Sequence, residues 1–331
     1  MSRVRPVKPE RLRLGDVVGI IAPASPPPDP QAIDRSVAAL EKLGFKARLA
    51  RHVRARLGFL AGNDRARAAD LMAMFADSKI KAIFCVRGGY GTARLLPLLD
   101  YEAIRRHPKI LIGYSDITTL HCALLKKANL VSFHAPMLNA ELSTGDLPEF
   151  TLQSLMRTVM EPVPPGSLRA GYGGNSVSVL RRGRVAGELI GGNLSVLCTT
   201  LGTPYQPDFK NKILFLEDVG EKPYRLDRML THLGNAGVLQ QVAGVAVGLN
   251  VECADPHPNK LKEFRQTMED VLVDRLKTLK VPVVTGLPFG HQPWNATLPI
   301  GVRAELDGDK GDLLITESAV SWRIDTTSLR E

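Results

Sequence analysis

The chain has 331 residues, enough for two domains at roughly 100–200 residues each. With 44% apolar residues and no apolar run long enough to span a bilayer, it reads as a globular protein with no membrane partner. The net charge of +9, from 43 Lys and Arg against 34 Asp and Glu, favours anionic ligands. The basic clusters RHVRAR (51–56) and RRGR (181–184) carry no interleaved aromatics, recognition-helix motif or zinc framework, so a small anionic molecule is expected and nucleic acid is not.

The N-terminus, MSRVRPVKPERLRLGD, is basic, and no signal-peptide apolar core follows it before Asp16, so a cytoplasmic protein is expected. From Asp16 the pattern predicts a strand over 17–22, a Pro-rich loop over 25–30 and a helix over 32–43 ended by Gly44. A strand over 46–49, a helix over 64–75 and a strand over 82–86 follow. After the glycines of RGGYG come a helix over 92–99, a strand over 110–112, a helix over 118–127 and a strand over 131–133. Strands alternating with helices predict a parallel sheet covered on both faces, with ligands at the carboxyl ends of the strands, where the glycine breaks fall.

The stretch EPVPPGSLRAGYGG is dense in Pro and Gly and predicts a linker over 161–175, between an N-terminal domain (1–160) and a C-terminal domain (176–331). Beyond it the texture shifts to shorter strands (177–180, 185–190, 213–216, 242–249) and helices near 194–201 and 224–233. The tail VRAELDGDKGDLLITE places a turn at 308–311 between two strands. The fold class predicted is α/β, with a mixed α/β or α+β second domain.

Within GYSDITT the strand stops at Gly113, and Asp116, Thr118 and Thr119 are helix-starting residue types. Ser115 therefore falls on a strand-to-helix turn, where a hydroxyl projects from the top of a sheet and the Asp116 amide points at whatever it attacks. Ile117 replaces the last glycine of the G-x-S-x-G elbow, and a plain helix-capping serine is the alternative. RGGYGTAR lacks the third glycine of a dinucleotide fingerprint and the Gly-Lys-Ser/Thr of a phosphate loop. What it retains is a turn with free N–H groups, suited to a second oxyanion donor beside Ser115.

A nucleophilic serine needs a base. His121 falls on another face of the Ser115 helix; His52, His107 and His257 read as surface residues and His232 as partly buried packing. His134, ending a strand of the same sheet, and His291, in LPFGHQPWNATLPIG, remain as equal candidates. For the orienting carboxylate, Glu217 and Asp218 end the apolar run ILFL, where a loop cap is the competing reading. Glu221 and Asp227 read as helix-start and surface charges. Cys85, Cys122, Cys198 and Cys253 show no paired spacing and read as reduced, mainly buried hydrophobes. No HExxH or similar ligand spacing implies a metal.

Five phrases in order, RGGYGTARLL, IGYSDIT, GELIGGNLSVL, FLEDVGEKPYRLDRML and FGHQPWNATLPIG, resemble the serine LD-carboxypeptidases of the S66 peptidase family. These enzymes trim murein tetrapeptides during cell-wall recycling. The resemblance implies Ser115 as nucleophile, Glu217 as the acid and His291 as the base, with the amides of Asp116 and Gly89 holding the oxyanion. It implies a flavodoxin-like N-terminal domain similar to class I glutamine amidotransferases and a smaller β-rich C-terminal domain, with the site in the cleft between them. It further implies a cytoplasmic homodimer acting on a murein tetrapeptide, free or UDP-linked, without a cofactor. A microcin-immunity branch of the family cleaves aminoacyl-adenylate analogues and stacks an aromatic on adenine; the corresponding region here, near 166–174, offers only Tyr172, with Trp294 and Trp322 distant in sequence. A non-catalytic binding module on the same fold is the third reading.

Overall fold

Apolar runs too short for helices, each closed by glycine or by a helix start, become the strands of two sheets. The computed structural model describes residues 5–143, 145, 147–254 and 266–323. The first half runs β1 (Val17–Ile21), α1 (Ala32–Lys42), β2 (Lys46–Leu49), α2 (Asp64–Ala76), β3 (Ile80–Cys85), α3 (Tyr101–Arg106), β4 (Ile110–Gly113), α4 (Thr118–Ala123), β5 (Ser132–His134) and α5 (Glu149–Met160). Strands β1 to β5 are parallel in the order β2-β1-β3-β4-β5, a doubly wound arrangement of the flavodoxin type. Strand β4 is buried along its whole length, as a parallel strand covered on both faces must be.

The second half continues with β6 (Gly166–Ser167), β7 (Ser178–Arg181), β8 (Arg184–Asn193), α6 (Leu194–Cys198), β9 (Ile213–Glu217), α7 (Pro223–Asn235), α8 (Val238–Gln241), β10 (Gly244–Gly248), α9 (Met268–Leu276), β11 (Val283–Leu287), β12 (Leu298–Ile300), β13 (Arg303–Asp307) and β14 (Asp312–Ile315). All but β12 form an eight-stranded sheet, β6-β14-β13-β8-β9-β10-β11-β7, with β8 to β11 parallel and its outer strands antiparallel. The protein is thus α/β, with a parallel-sheet domain and a second, β-rich α/β domain.

Strand β12 belongs to the first sheet. It lies antiparallel on β5, with Leu298 opposite His134 and Ile300 opposite Ser132. Leu298 and Ile300 are fully buried there, each contributing ~1.5–3 kcal/mol to keeping the strand docked.

Three predicted helices are shorter than their patterns. The run 92–99 is two 3₁₀ turns, Thr92–Arg94 and Leu96–Leu98, because Pro97 cannot donate an α-helical hydrogen bond. Helix α4 ends at Ala123 and loosens into a π turn, Leu124–Ala128, closed by Asn129 in the left-handed region. Helix α6 ends at Cys198. Histidine 232, expected as partly buried packing, is exposed on α7, and His257 lies outside the described residues. Among the described residues no helix is long and apolar enough to cross a membrane. All four cysteines are free thiols, and burial pushes Cys122 and Cys198 up to about 12 and Cys253 up to about 11.

Candidate active site

Strand β4 ends at Gly113, where a β-carbon would lie 2.9 Å from Ile117 Cγ1 and 3.2 Å from Cys85 Cβ, so glycine lets the turn fold back on the sheet. Tyr114 is extended, and Ser115 takes φ +62°, a left-handed conformation uncommon for a residue with a side chain. Such backbone strain, of order 1–3 kcal/mol, persists only where neighbours enforce it. They do: the buried Asp116 carboxylate accepts the Thr92 N–H at 2.8 Å, and the Thr92 hydroxyl donates to the Asp116 carbonyl. Burial raises the Asp116 pKa, against the hydrogen bonds from Thr92 and Gly91. The elbow is therefore tied directly to the glycine turn.

Each glycine of that turn faces a different neighbour. A β-carbon on Gly88 would lie 3.0 Å from Ser115 Oγ and 3.3 Å from the Asp116 nitrogen, the space an attacked carbonyl would need. A β-carbon on Gly89 would lie 2.5 Å from Ser25 Oγ. The Ser25 N–H donates to the Gly88 carbonyl at 3.3 Å, and since that peptide is trans, the Gly89 N–H points away from Ser25. The Ser25 hydroxyl accepts the Tyr90 N–H at 3.1 Å, and the buried Arg67 donates to the Gly91 carbonyl at 3.0 Å. The Pro-rich loop thereby fixes the glycine turn.

Glu217 and His291, the expected acid and base, come from the second half. Glu217 ends β9 with its side chain fully buried, and its Oε2 accepts from His291 Nδ1 at 2.6 Å. Gly290, at φ +109°, permits this approach, since a β-carbon there would lie 2.9 Å from Glu217 Cβ. Burial of the imidazole lowers its pKa, but the Glu217 hydrogen bond and charge, with the charges of Glu141 and Asp218, outweigh it, so the His291 pKa is raised. Asn295 clasps the loop: its Oδ1 accepts the Gly290 N–H at 3.0 Å, and its own N–H donates to Thr151 Oγ1 at 2.9 Å.

The two halves meet at this point. The Tyr114 ring, one residue before Ser115, lies 4.7 Å from the His291 ring between centroids. Behind α4, the Asn193 N–H donates to Thr118 Oγ1 at 3.0 Å. Gly191 and Gly192 make this junction possible, because β-carbons there would lie 1.8 Å from the Phe215 carbonyl oxygen and 2.5 Å from Thr118 Oγ1. An open cavity of ≈ 450 Å³ abuts His291, lined also by Tyr114, Glu141, Val219, Glu252 and Gln292.

The other candidates have separate places. Asp218 faces away from His291, accepting from Asn193 Nδ2 at 3.0 Å and the Ser195 N–H at 2.8 Å. Burial raises its pKa to about 6. His134 is buried between Tyr114 and Phe215, with ring centroids 5.5 and 5.3 Å away, and burial holds its pKa well below the usual range. His121 is clamped between Ser132 Oγ and the Gly113 carbonyl, both at 2.8 Å, and burial lowers its pKa to about 4. His52 pairs with Asp70 at 2.8 Å, and His107 is exposed. Trp294, distant in sequence from Tyr172, packs with it at 6.0 Å between centroids and with Phe150 at 6.1 Å. Sequence reasoning missed Gly88, Tyr114, Glu141 and Asn295. For Gly88 and Tyr114 the signal was adjacency to the glycine turn and to Ser115; Glu141 and Asn295 gave none.

The chain matches known proteins along most of its length. The pattern of the LD-carboxypeptidase N-terminal domain matches residues 18–135, and that of the LD-carboxypeptidase C-terminal domain matches residues 186–306. A probable murein peptide carboxypeptidase of Bacillus subtilis (strain 168) is 39% identical, over 91% of this chain and 91% of its own length. The structure of MccF in complex with glutamyl sulfamoyl guanosine superposes with a TM-score of 0.85 at 26% identity, over 96% of this chain and 100% of that one. The muramoyltetrapeptide carboxypeptidase of Oxalobacter formigenes gives a TM-score of 0.76 at 32% identity, over 90% of this chain and 97% of its own. With its strained serine, buried glutamate–histidine pair and two matching domains, the chain belongs to the LD-carboxypeptidases of peptidase family S66.

Proposed function

We propose that the protein is a serine hydrolase that releases the terminal D-alanine of murein tetrapeptides by cleaving the L,D-amide bond. The observation carrying this reading is the 2.6 Å pairing of Glu217 with His291, whose ring packs against the residue preceding the strained Ser115. With Nδ1–H donated to Glu217, the other ring nitrogen is left to take the Ser115 proton as the hydroxyl attacks the carbonyl. The imidazolium then protonates the leaving amine of D-alanine, and water attacks the acyl-enzyme by the reverse roles. Neither the Asp116 N–H nor the Gly89 N–H donates to another described backbone or side-chain group, which suits both to the oxyanion, at ~3–4 kcal/mol per donor in comparable enzymes. The family relationship and the basic charge support a cytoplasmic homodimer acting on free or UDP-linked tetrapeptide in peptidoglycan recycling.

Ser115→Ala is expected to abolish D-alanine release while leaving the melting temperature nearly unchanged, measured by product mass spectrometry and circular dichroism. Retained turnover would end the serine mechanism. The Tyr172, Trp294 and Phe150 cluster favours a second reading, a microcin-immunity-like hydrolase that stacks a base on this platform. Side-by-side assays with murein tetrapeptide and an aminoacyl sulfamoyl adenosine separate the two.

A further inference from the structure

Three carboxylates, Glu217, Glu141 and Asp218, act on His291, and Glu217 is the one hydrogen-bonded to it. Glu217 holds the Nδ1 edge of the ring; the face is covered by Tyr114, at 4.7 Å and 58° between ring planes. The Tyr114 ring is itself pinned, because its hydroxyl donates to Glu141 Oε1 while Glu141 Oε2 accepts the Met137 N–H at 2.8 Å. Glu141 is buried, and it shares the wall of the ≈ 450 Å³ cavity with Tyr114 and His291.

We propose that Glu141 is a positioning residue for His291, setting the imidazole's face through the Tyr114 hydroxyl and placing a further negative charge beside the ring, in addition to those of Glu217 and Asp218. The inference rests on the Ser115–His291–Glu217 reading above. Burying a carboxylate is costly unless hydrogen bonds and a nearby positive charge offset it. Glu141 has both hydrogen bonds, and the imidazolium formed during turnover supplies the charge. Burial raises the Glu141 pKa to about 7, against the Tyr114 and Met137 hydrogen bonds and the His291 charge. Among the described residues, the titratable neighbours of the imidazole also include Glu217 and Asp218 at the end of β9, Tyr114 on its face, His134 behind Tyr114, and Glu252 across the cavity. Of these His134 is held neutral by burial, so it does not compete with Glu141 for the charge on His291.

Glu141→Gln tests this, because the amide can keep both hydrogen bonds, accepting from Met137 and donating to the tyrosine oxygen, while the charge is lost. NMR titration of the His291 ring, assigned by its disappearance in His291→Asn, is expected to show a lower midpoint in Glu141→Gln than in wild type. In the D-alanine release assay the acid limb of kcat/KM moves to lower pH in the same variant, with KM little changed. Tyr114→Phe, which breaks the link and keeps the carboxylate, is expected to lower kcat by about 10- to 100-fold, the scale of a small misplacement of a reacting group. An unmoved His291 midpoint in folded Glu141→Gln, or wild-type kcat in Tyr114→Phe, would overturn the proposal. The NMR arm needs no substrate, so it stands even if the protein releases no D-alanine, an outcome that would overturn the proposed reaction instead.

Discussion

Ser115 and Gly88 face each other at close range in the site. The hydroxyl stands on a strained turn, and the facing position must be glycine, since a β-carbon there would sit 3.0 Å from Oγ and 3.3 Å from the Asp116 nitrogen. Gly88→Ala is accordingly expected to lower kcat by about 10²-fold or more, the cost of losing an oxyanion contact, and also to lower the melting temperature, because the new β-carbon would lie 2.9 Å from Ser115 Cβ. Wild-type turnover in that variant would move the oxyanion site elsewhere. At this scale the sequence was informative where chemistry is local. A serine at a strand end, a histidine after glycine and an acid ending an apolar run could each be read from their neighbours. Which glycine faces the serine could not, because Gly88 and Gly89 are adjacent and only the direction of one peptide, set by Ser25, distinguishes them. The choice between His134 and His291 was likewise open on residue types, and contact with Glu217 favours His291.

At the scale of elements, β4 and β9 carry the proposed nucleophile Ser115 and the proposed acid Glu217 at their carboxyl ends, where a parallel sheet presents its loops. The return path of β4 is stiffened by His121, whose ring bridges the Gly113 carbonyl and Ser132 and whose pKa burial lowers to about 4. A histidine held neutral in the folded state and titrating near 6.5 when unfolded lets the unfolded chain bind the extra proton between those values. Stability from this residue is therefore fully present above pH 6.5 and lost as pH falls toward 4, by roughly 3 kcal/mol in all. The stability gap between wild type and His121→Gln, measured by urea unfolding, should widen in favour of wild type from pH 4 to 6.5; a gap independent of pH would contradict the assignment. Apolar runs made β1 to β5, β7 to β10 and the tail strands β13 and β14 legible, whereas β6, β11 and β12 went unread. The helices over 92–99 and 118–127 were overread because Pro97 and the π turn at Leu124–Ala128 interrupt patterns whose apolar spacing continues past them.

Across the whole molecule, the halves are interleaved as well as adjacent. Strand β12, from the second half, completes the first sheet beside His134, seven residues after the loop that carries His291 to Glu217. Asn295 and Thr151 join that loop to α5, and Asn193 joins the end of β8 to α4. No local sequence pattern predicts a three-residue strand crossing to the other sheet, since LPI owes its conformation to the edge of β5. The same long-range contacts bring Trp294 beside Tyr172, although 121 residues separate them in the chain. The proposed mechanism depends on this interlocking, because Ser115 and His291 are contributed by different sheets.

Covalent labelling with a serine-directed fluorophosphonate, mapped by peptide mass spectrometry, tests the convergence of Ser115, Glu217 and His291 most directly. The adduct is expected on Ser115 in wild type, to form far more slowly in Glu217→Gln, and to be nearly absent in His291→Asn. Equal labelling of the three proteins, or an adduct on another residue, would contradict it.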